Sequence, residues 1–107
     1  MSAADHLERV AGLPCLICLH KFGHRVYGSS VHHAGEAKDR SDWAVVPLCY
    51  EHHQGATGVH GLHRRGFDRF WKVNDIMLLA WTNQELAKAE RAPARTRRVS
   101  HYEVRTR

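Results

Sequence analysis

The sequence predicts one small α+β domain, in which two short strands and flanking helices are held together by paired cysteine and histidine side chains. A chain of 107 residues can bury only a modest core, which favours an additional staple. Short apolar segments at residues 25–33 and 43–48 are typical of strands, and helical periodicity follows from Leu62. The two cysteine-containing pairs described below supply the staple.

The N-terminal third predicts a helix, a knuckle and a strand. Residues 4–11 have one apolar face, and Gly12 and Pro14 end the helix. Residues 14–18 then predict a tight knuckle. Residues 25–33 predict a bent or interrupted strand that ends near a pair of adjacent histidines.

The middle of the chain predicts a strand followed by a helix. Residues 43–48 form the second extended segment, and Pro47 restricts it to an edge or a strand end. A short helix is expected from Cys49, and residues 55–61 contain glycines that interrupt it. A longer helix is expected from Leu62.

The C-terminal region is predicted to be helical, as one helix or as two. Phe67, Phe70 and Trp71 share a helical face, which favours core positions over base-stacking positions. Asp75 can cap a following helix. Residues 82–85 have the form of a capping box, which would begin a further helix there.

The net charge of +5 is concentrated at the C-terminus. Residues 1–90 carry ten Lys/Arg and ten Asp/Glu, whereas residues 91–107 carry six Arg and one Glu. We therefore expect a single domain at 1–90 and a basic, flexible tail at 91–107, which either binds nucleic acid or only solubilises the chain. No signal sequence and no apolar run of about 20 residues is seen, so a cytoplasmic protein without a membrane partner is expected.

Two cysteine-containing pairs predict a structural zinc site. Three cysteines, an odd number, argue against a framework made only of disulfides. Two residues separate Cys15 from Cys18, and two separate Cys49 from His52. This spacing allows both side chains of a pair to reach one ion, so the four side chains would complete a tetrahedral Cys₃His zinc site.

Further histidines are concentrated beyond the zinc ligands. Within 32 residues lie His32, His33, His53, His60 and His63. Adjacent histidines on a strand point to opposite faces, so His32 and His33 are expected to have different roles. His53 directly follows a zinc ligand, so the zinc would fix the helix that carries His53 and could thereby position a second metal.

Three segments together resemble the HNH, or His-Me finger, endonucleases. They are V-H-H-A-G at 31–35, S-D-W-x3-P-L-C-x2-H-H at 41–53 and L-H-R-R-G-x3-F-W at 62–71. Within that class the sequence is most similar to the phage recombination-enhancement (Ref-like) nucleases, over roughly residues 13–90. The resemblance implies a ββα-metal, treble-clef-like finger and a metal-dependent DNA endonuclease acting in phage or bacterial DNA recombination or processing.

The resemblance also implies roles for single residues. His32 and His53 correspond to ligands of a catalytic ion, and the last ligand is His60 or His63. His33 corresponds to the general base, a task suited to imidazole because it titrates near neutral pH. The family's asparagine is not evident between His33 and Cys49, and Asp42 is expected to replace it, either by hydrogen-bonding the strand or by orienting His33.

The implied ion and partners follow from the same resemblance. The ion would be Mg²⁺ or Mn²⁺, and an all-histidine site would also accept Zn²⁺, Ni²⁺ or Co²⁺ in vitro. The partners would be single- or double-stranded DNA and a recombinase filament, in a bacterial or phage-infected cell. The expected DNA contacts are Arg64, Arg65, Arg95, Arg97 and Arg98. The alternative is a zinc-bound nucleic-acid-binding module or an adaptor without catalysis.

Overall fold

Seven elements make up the part of the chain that the structure, a computed structural model, describes, which is residues 1–36 and 40–91. In chain order they are α1 (Ala3–Ala11), α2 (Leu16–Phe22), β1 (Ser30–His33), β2 (Val45–Leu48), α3 (Tyr50–His53), α4 (Val59–Trp71) and α5 (Asp75–Arg91). The predicted small α+β architecture with one short two-stranded sheet is therefore confirmed. Most of the predicted tail, including Arg95, Arg97 and Arg98, lies outside the described residues.

The two strands form an antiparallel pair in which His32 lies opposite Val46 and His33 opposite Val45. All four residues of β2 are buried. Pro47 is tolerated because both strands of a two-stranded sheet are edge strands. Of the segment predicted to be extended at 25–33, only the last four residues pair, so the strand is shorter than expected.

The core has two parts, one on each side of the sheet. The larger part contains Leu16, Leu48, Phe67 and Leu78, and so joins β2 to the helices that follow and to α2. The smaller part packs Val10 and neighbouring residues of α1 against the sheet. The N-terminal helix therefore covers one face, and the other face is packed against the helices that carry the clustered histidines.

Two local predictions were wrong in their boundaries. The segment predicted as a knuckle at 14–18 already enters α2 at Leu16, and this helix ends at Gly23, whose φ of 73° suits glycine. Helix α4 begins at Val59 rather than Leu62, and it is kinked at His63 (φ 63°, ψ 164°). The kink explains why the periodic pattern is readable only in the second half of the helix.

The C-terminal residues form one helix, α5, rather than two. The capping box predicted at residues 82–85 does not form, because the Thr82 hydroxyl donates a hydrogen bond to the carbonyl of Leu78, 2.8 Å away, inside the helix. At the start of α5, Asn74 accepts a hydrogen bond from the backbone N–H of Met77 (2.8 Å), so Asn74 acts as the cap. Asp75 instead binds the side chain of Arg64 and the backbone N–H of Gly35.

The predicted apolar face of α4 is only partly buried. Phe67 is 1% exposed and belongs to the core, whereas Phe70 is 57% exposed. The core prediction was therefore wrong for Phe70, which lies one residue before the end of α4 at Trp71. Trp71 is half-buried, and its ring nitrogen donates to the carbonyl of Thr57 at 2.8 Å.

Gly58, the residue before α4, allows this helix to approach α3 closely. A Cβ added at Gly58 would lie 2.6 Å from the carbonyl oxygen of Glu51 and 2.7 Å from the carbonyl carbons of His52 and His53. The backbones of the two helices therefore meet at Gly58. This contact sets the distance between the histidines that the two helices carry.

Gly58→Ala is expected to destabilise the protein by about 1–3 kcal/mol, the usual cost of overpacking. Gly66 provides a matched control, because a Cβ there would meet only the Cβ of Leu62, at 3.4 Å. Gly66→Ala should leave stability unchanged or raise it by about 0.5–1 kcal/mol, since alanine is the better helix former. Thermal unfolding of both variants tests the prediction, and equal melting temperatures would contradict it.

None of the helices in the described ranges 1–36 and 40–91 is long and apolar enough to span a membrane.

Candidate metal centres

The first candidate centre is formed by Cys15, Cys18, Cys49 and His52, whose ligand atoms all lie within 4.8 Å of one another. Cys15 and Cys18 come from the start of α2, and Cys49 and His52 from the N-cap and third residue of α3. The Nδ1 atom of His52 lies 3.6 Å from Sγ of Cys15, 3.6 Å from Sγ of Cys18 and 3.3 Å from Sγ of Cys49. The four side chains could therefore hold a metal such as zinc.

The separations between these ligand atoms fit a tetrahedral ion. Zinc–sulfur bonds of about 2.3 Å and zinc–nitrogen bonds of about 2.0–2.1 Å place tetrahedral sulfur and nitrogen ligands about 3.6 Å apart, and two sulfurs about 3.8 Å apart. The distance between Sγ of Cys18 and Sγ of Cys49 is 3.9 Å. A hydrogen bond from Cys15 is the main cause that lowers the pKa of Cys49 to about 5, so at least one thiolate is already favoured.

The second candidate centre consists of His32 from β1, His53 from α3 and His60 from α4, whose ligand atoms also lie within 4.8 Å of one another. The Nε2 atoms of His53 and His60 are 3.3 Å apart. His53 is fully buried, whereas His60 is exposed. The cluster is therefore open to solvent on the side of α4, and a bound ion would keep room for further ligands.

Ser30 determines which nitrogen of His53 faces this cluster. Its Oγ lies 2.7 Å from Nδ1 of His53 and donates to the carbonyl of Leu48 at 3.3 Å. With its proton used there, Ser30 accepts a hydrogen bond from Nδ1–H of His53. The lone pair of His53 is then on Nε2, the atom directed toward His60, as a metal ligand requires.

His32 has the properties expected of a metal ligand. Burial is the main cause that lowers its pKa to about 4, so its ring is neutral at physiological pH. Its Nδ1 atom is buried and has no hydrogen-bond partner among the described residues. An unsatisfied buried nitrogen is costly in an otherwise packed protein. Three imidazoles together with this orphaned atom fit a divalent transition metal.

Of the two candidates for the last ligand, the structure brings only His60 to the cluster. The turn after α3 contains Gly55 and Gly58, and α4 begins before His60, so this side chain returns toward His53. His63 is exposed, lies at the kink and has no place in either cluster of the described residues. His60 rather than His63 reaches the cluster because α4 begins earlier than the sequence pattern indicated.

His33 ends β1 beside the histidine cluster and is held from both ring nitrogens. Its Nε2 atom lies 2.9 Å from Oδ1 of Asp42, and Nη2 of Arg40 lies 3.2 Å from its Nδ1. The side chain of His33 is 9% exposed and that of Asp42 is 52% exposed. Asp42 therefore contacts His33, and its orienting role stays a prediction. The contacts of Ser30 and Arg40 were not expected, although strand alternation does place Ser30 on the face of His32.

The arginines predicted to bind DNA differ in their surroundings. Arg64 is bound to Asp75 at 2.6 Å and lies 3.8 Å from Glu36, so its charge is largely neutralised. Asp75 also accepts the backbone N–H of Gly35 at 3.1 Å, which ties the segment after β1 to α5. Arg65 is exposed. In the described part of the chain, Arg64 is therefore engaged within the protein, and Arg65 remains accessible to a partner.

Comparison with known proteins adds no family or relative to this geometry. No family model matches the chain, and no curated protein matches it.

Ser30→Ala is expected to weaken metal binding at the histidine cluster about 10- to 100-fold, the usual effect of removing a hydrogen bond that orients a metal ligand. The matched control is Ser41→Ala, because within residues 1–36 and 40–91 the Ser41 hydroxyl bonds only the backbone N–H of nearby Trp43. Titration of the zinc-loaded protein with Co²⁺ or Mn²⁺ measures the effect. Equal affinities for both variants would contradict the role assigned to Ser30.

Proposed function

We propose that the chain is a metal-dependent DNA endonuclease that uses the ββα-metal arrangement of the HNH class. The observation that carries the proposal is the position of His33, paired with Asp42, directly after His32 of the three-histidine cluster. His32 interacts electrostatically with His33, which supports a site where one phosphodiester meets both the base and the ion. A chain that only bound nucleic acid would need neither a histidine base nor a second ion.

His33 is suited to act as the general base through its Nδ1 atom. Arginine can only donate hydrogen bonds, so Nδ1, which contacts Arg40, carries the lone pair. The proton of the ring is then on Nε2 and is donated to Asp42. In this tautomer Nδ1 takes a proton from water, and Asp42 stabilises the imidazolium that forms, as the carboxylate of a catalytic triad does.

The reaction would be hydrolysis with cleavage of the bond to the 3′ oxygen. His33 removes a proton from water, the water oxygen bonds to phosphorus, and the phosphorus–oxygen bond on the 3′ side breaks, with its electron pair going to the leaving oxygen, which takes a proton from solvent water. The products are a 5′ phosphate and a 3′ hydroxyl. A divalent ion held by His32, His53 and His60 would supply positive charge to the scissile phosphate and the leaving oxygen.

The Cys₃His centre would give a small chain the rigidity that this site needs. His52 and His53 are consecutive in α3, a helix of four residues. An ion on His52 therefore fixes the position of His53 without a large core. The accessible Arg65 and the basic residues at 91–107 would add affinity that depends on salt and not on sequence, and a recombinase filament would target the enzyme.

The experiment that tests this function is a cleavage assay on plasmid and single-stranded DNA with zinc-loaded protein and added Mg²⁺ or Mn²⁺. We expect metal-dependent cutting that leaves ends carrying a 5′ phosphate, detected by direct ligation of the products. The absence of cutting in every metal, together with retained DNA binding, would replace the nuclease by a zinc-bound binding module. The absence of both would favour a protein adaptor.

A further inference from the structure

Arg40 contacts the nitrogen of His33 that the reaction needs. Its Nη2 atom lies 3.2 Å from Nδ1 of His33, while the opposite nitrogen is held by Asp42. Among the described residues, no carboxylate lies within 4.0 Å of the Arg40 guanidinium, in contrast to Arg64, which is paired with Asp75. Arg40 is exposed. Its contact with a neutral imidazole is thus its principal described interaction.

This contact is incompatible with base catalysis while it lasts. The single lone pair on Nδ1 cannot accept a hydrogen bond from Arg40 and remove a proton from water at the same time. A guanidinium binds a phosphate through two parallel charge-assisted hydrogen bonds, which are roughly twice as strong as a bond to a neutral acceptor. A phosphodiester arriving at the site therefore competes successfully for Arg40.

We propose that Arg40 is a substrate-binding residue that exchanges partners: it rests on Nδ1 of His33 in the free protein and binds the non-bridging oxygens of the substrate phosphodiester in the complex. The exchange releases Nδ1 for water only when a phosphate is present. This inference rests on the proposed function, because it assigns a phosphodiester to the same site. It adds a residue that couples substrate binding to exposure of the base.

The salt dependence of DNA binding tests the phosphate contact. The probe is a short DNA duplex, titrated with zinc-loaded protein in buffer without added divalent metal. Arg40→Ala is expected to weaken binding about ten- to a hundredfold and to lower the slope of log K against log salt by about 0.9, the loss of one phosphate contact. Arg9→Ala is the matched control, since it removes the same charge from α1, where Arg9 is paired with Glu90.

Nitrogen-15 spectra of the His33 ring test the exchange itself. The Nδ1 resonance of the wild-type protein should move on addition of the duplex, because the hydrogen bond from Arg40 is lost. In Arg40→Ala the free protein should already show the shifted resonance. A resonance that is the same in both free proteins, or an unchanged salt slope, would overturn the inference.

The two proposals fail in different ways. If Arg40→Ala shows the predicted slope and resonance but the wild-type protein cuts no DNA, the nuclease is refuted and the phosphate-binding role stands. If the wild-type protein cuts DNA and Arg40→Ala behaves as Arg9→Ala does, the role of Arg40 is refuted and the nuclease stands. If the wild-type protein binds no DNA at any salt concentration, both are refuted.

Discussion

Replacement of Cys49 by serine is expected to remove the bound zinc and to unfold the chain. Cys49 supplies one of four ligands and also occupies the N-cap of α3, so its loss affects the ion and the helix together. Structural zinc sites in zinc-finger peptides contribute apparent binding energies of about 10–16 kcal/mol. The total stability of a small domain is about 5–15 kcal/mol. Circular dichroism and metal analysis of the purified variant measure the two losses.

Two variants serve as controls for Cys49→Ser. His52→Cys changes the site from Cys₃His to Cys₄, which is also a closed zinc site, and should keep both zinc and fold. His24→Ala removes an exposed histidine that belongs to neither cluster of the described residues, and it should keep both as well. A Cys49→Ser protein that is soluble, unfolds cooperatively and contains no zinc would show that the ion is not a structural requirement.

Replacement of His33 by alanine is expected to lower the rate of DNA cleavage about 10²- to 10⁴-fold, the contribution of a positioned general base. The ring of His33 contacts Asp42 and Arg40 and belongs to neither ligand cluster. Zinc content, folding and DNA affinity should therefore change little. Single-turnover cleavage with excess protein, alongside a binding measurement, separates the chemical step from binding.

Asp42→Asn distinguishes orientation of the base from its electrostatic stabilisation. The asparagine oxygen can still accept the hydrogen bond from His33, but the charge that stabilises the imidazolium is lost. A loss of rate smaller than that of His33→Ala is expected. Cutting that persists at the wild-type rate in His33→Ala would assign the base to another residue.

The features predicted best from the sequence are those defined by local spacing. Two-residue separations bring Cys15 to Cys18 and Cys49 to His52 whatever the rest of the chain does, so a four-ligand cluster was predictable once the two pairs were assigned to one ion. The second strand was also predictable, because Val45 and Val46 lie in a short, continuous apolar run.

Features that depend on packing between elements were not predictable. The choice between His60 and His63 depends on where α4 begins, and that is set by the close approach of Gly58 to α3. The exposure of Phe70 depends on what covers the last turn of α4, which helical periodicity does not encode. The contact between Arg40 and His33 is formed by a loop, for which the sequence carries no periodic signal.

We propose that one ion stabilises the fold and that a second ion, at His32, His53 and His60, is needed for cleavage. Bound metal and cleavage can be measured in the same samples, starting from protein passed over a chelating resin and then titrated with Mn²⁺. We expect about one tightly bound zinc per chain with no cutting, and cutting that rises as a second ion binds, with His53→Ala inactive at every concentration. Full activity with the single zinc, or full activity of His53→Ala, would contradict the account.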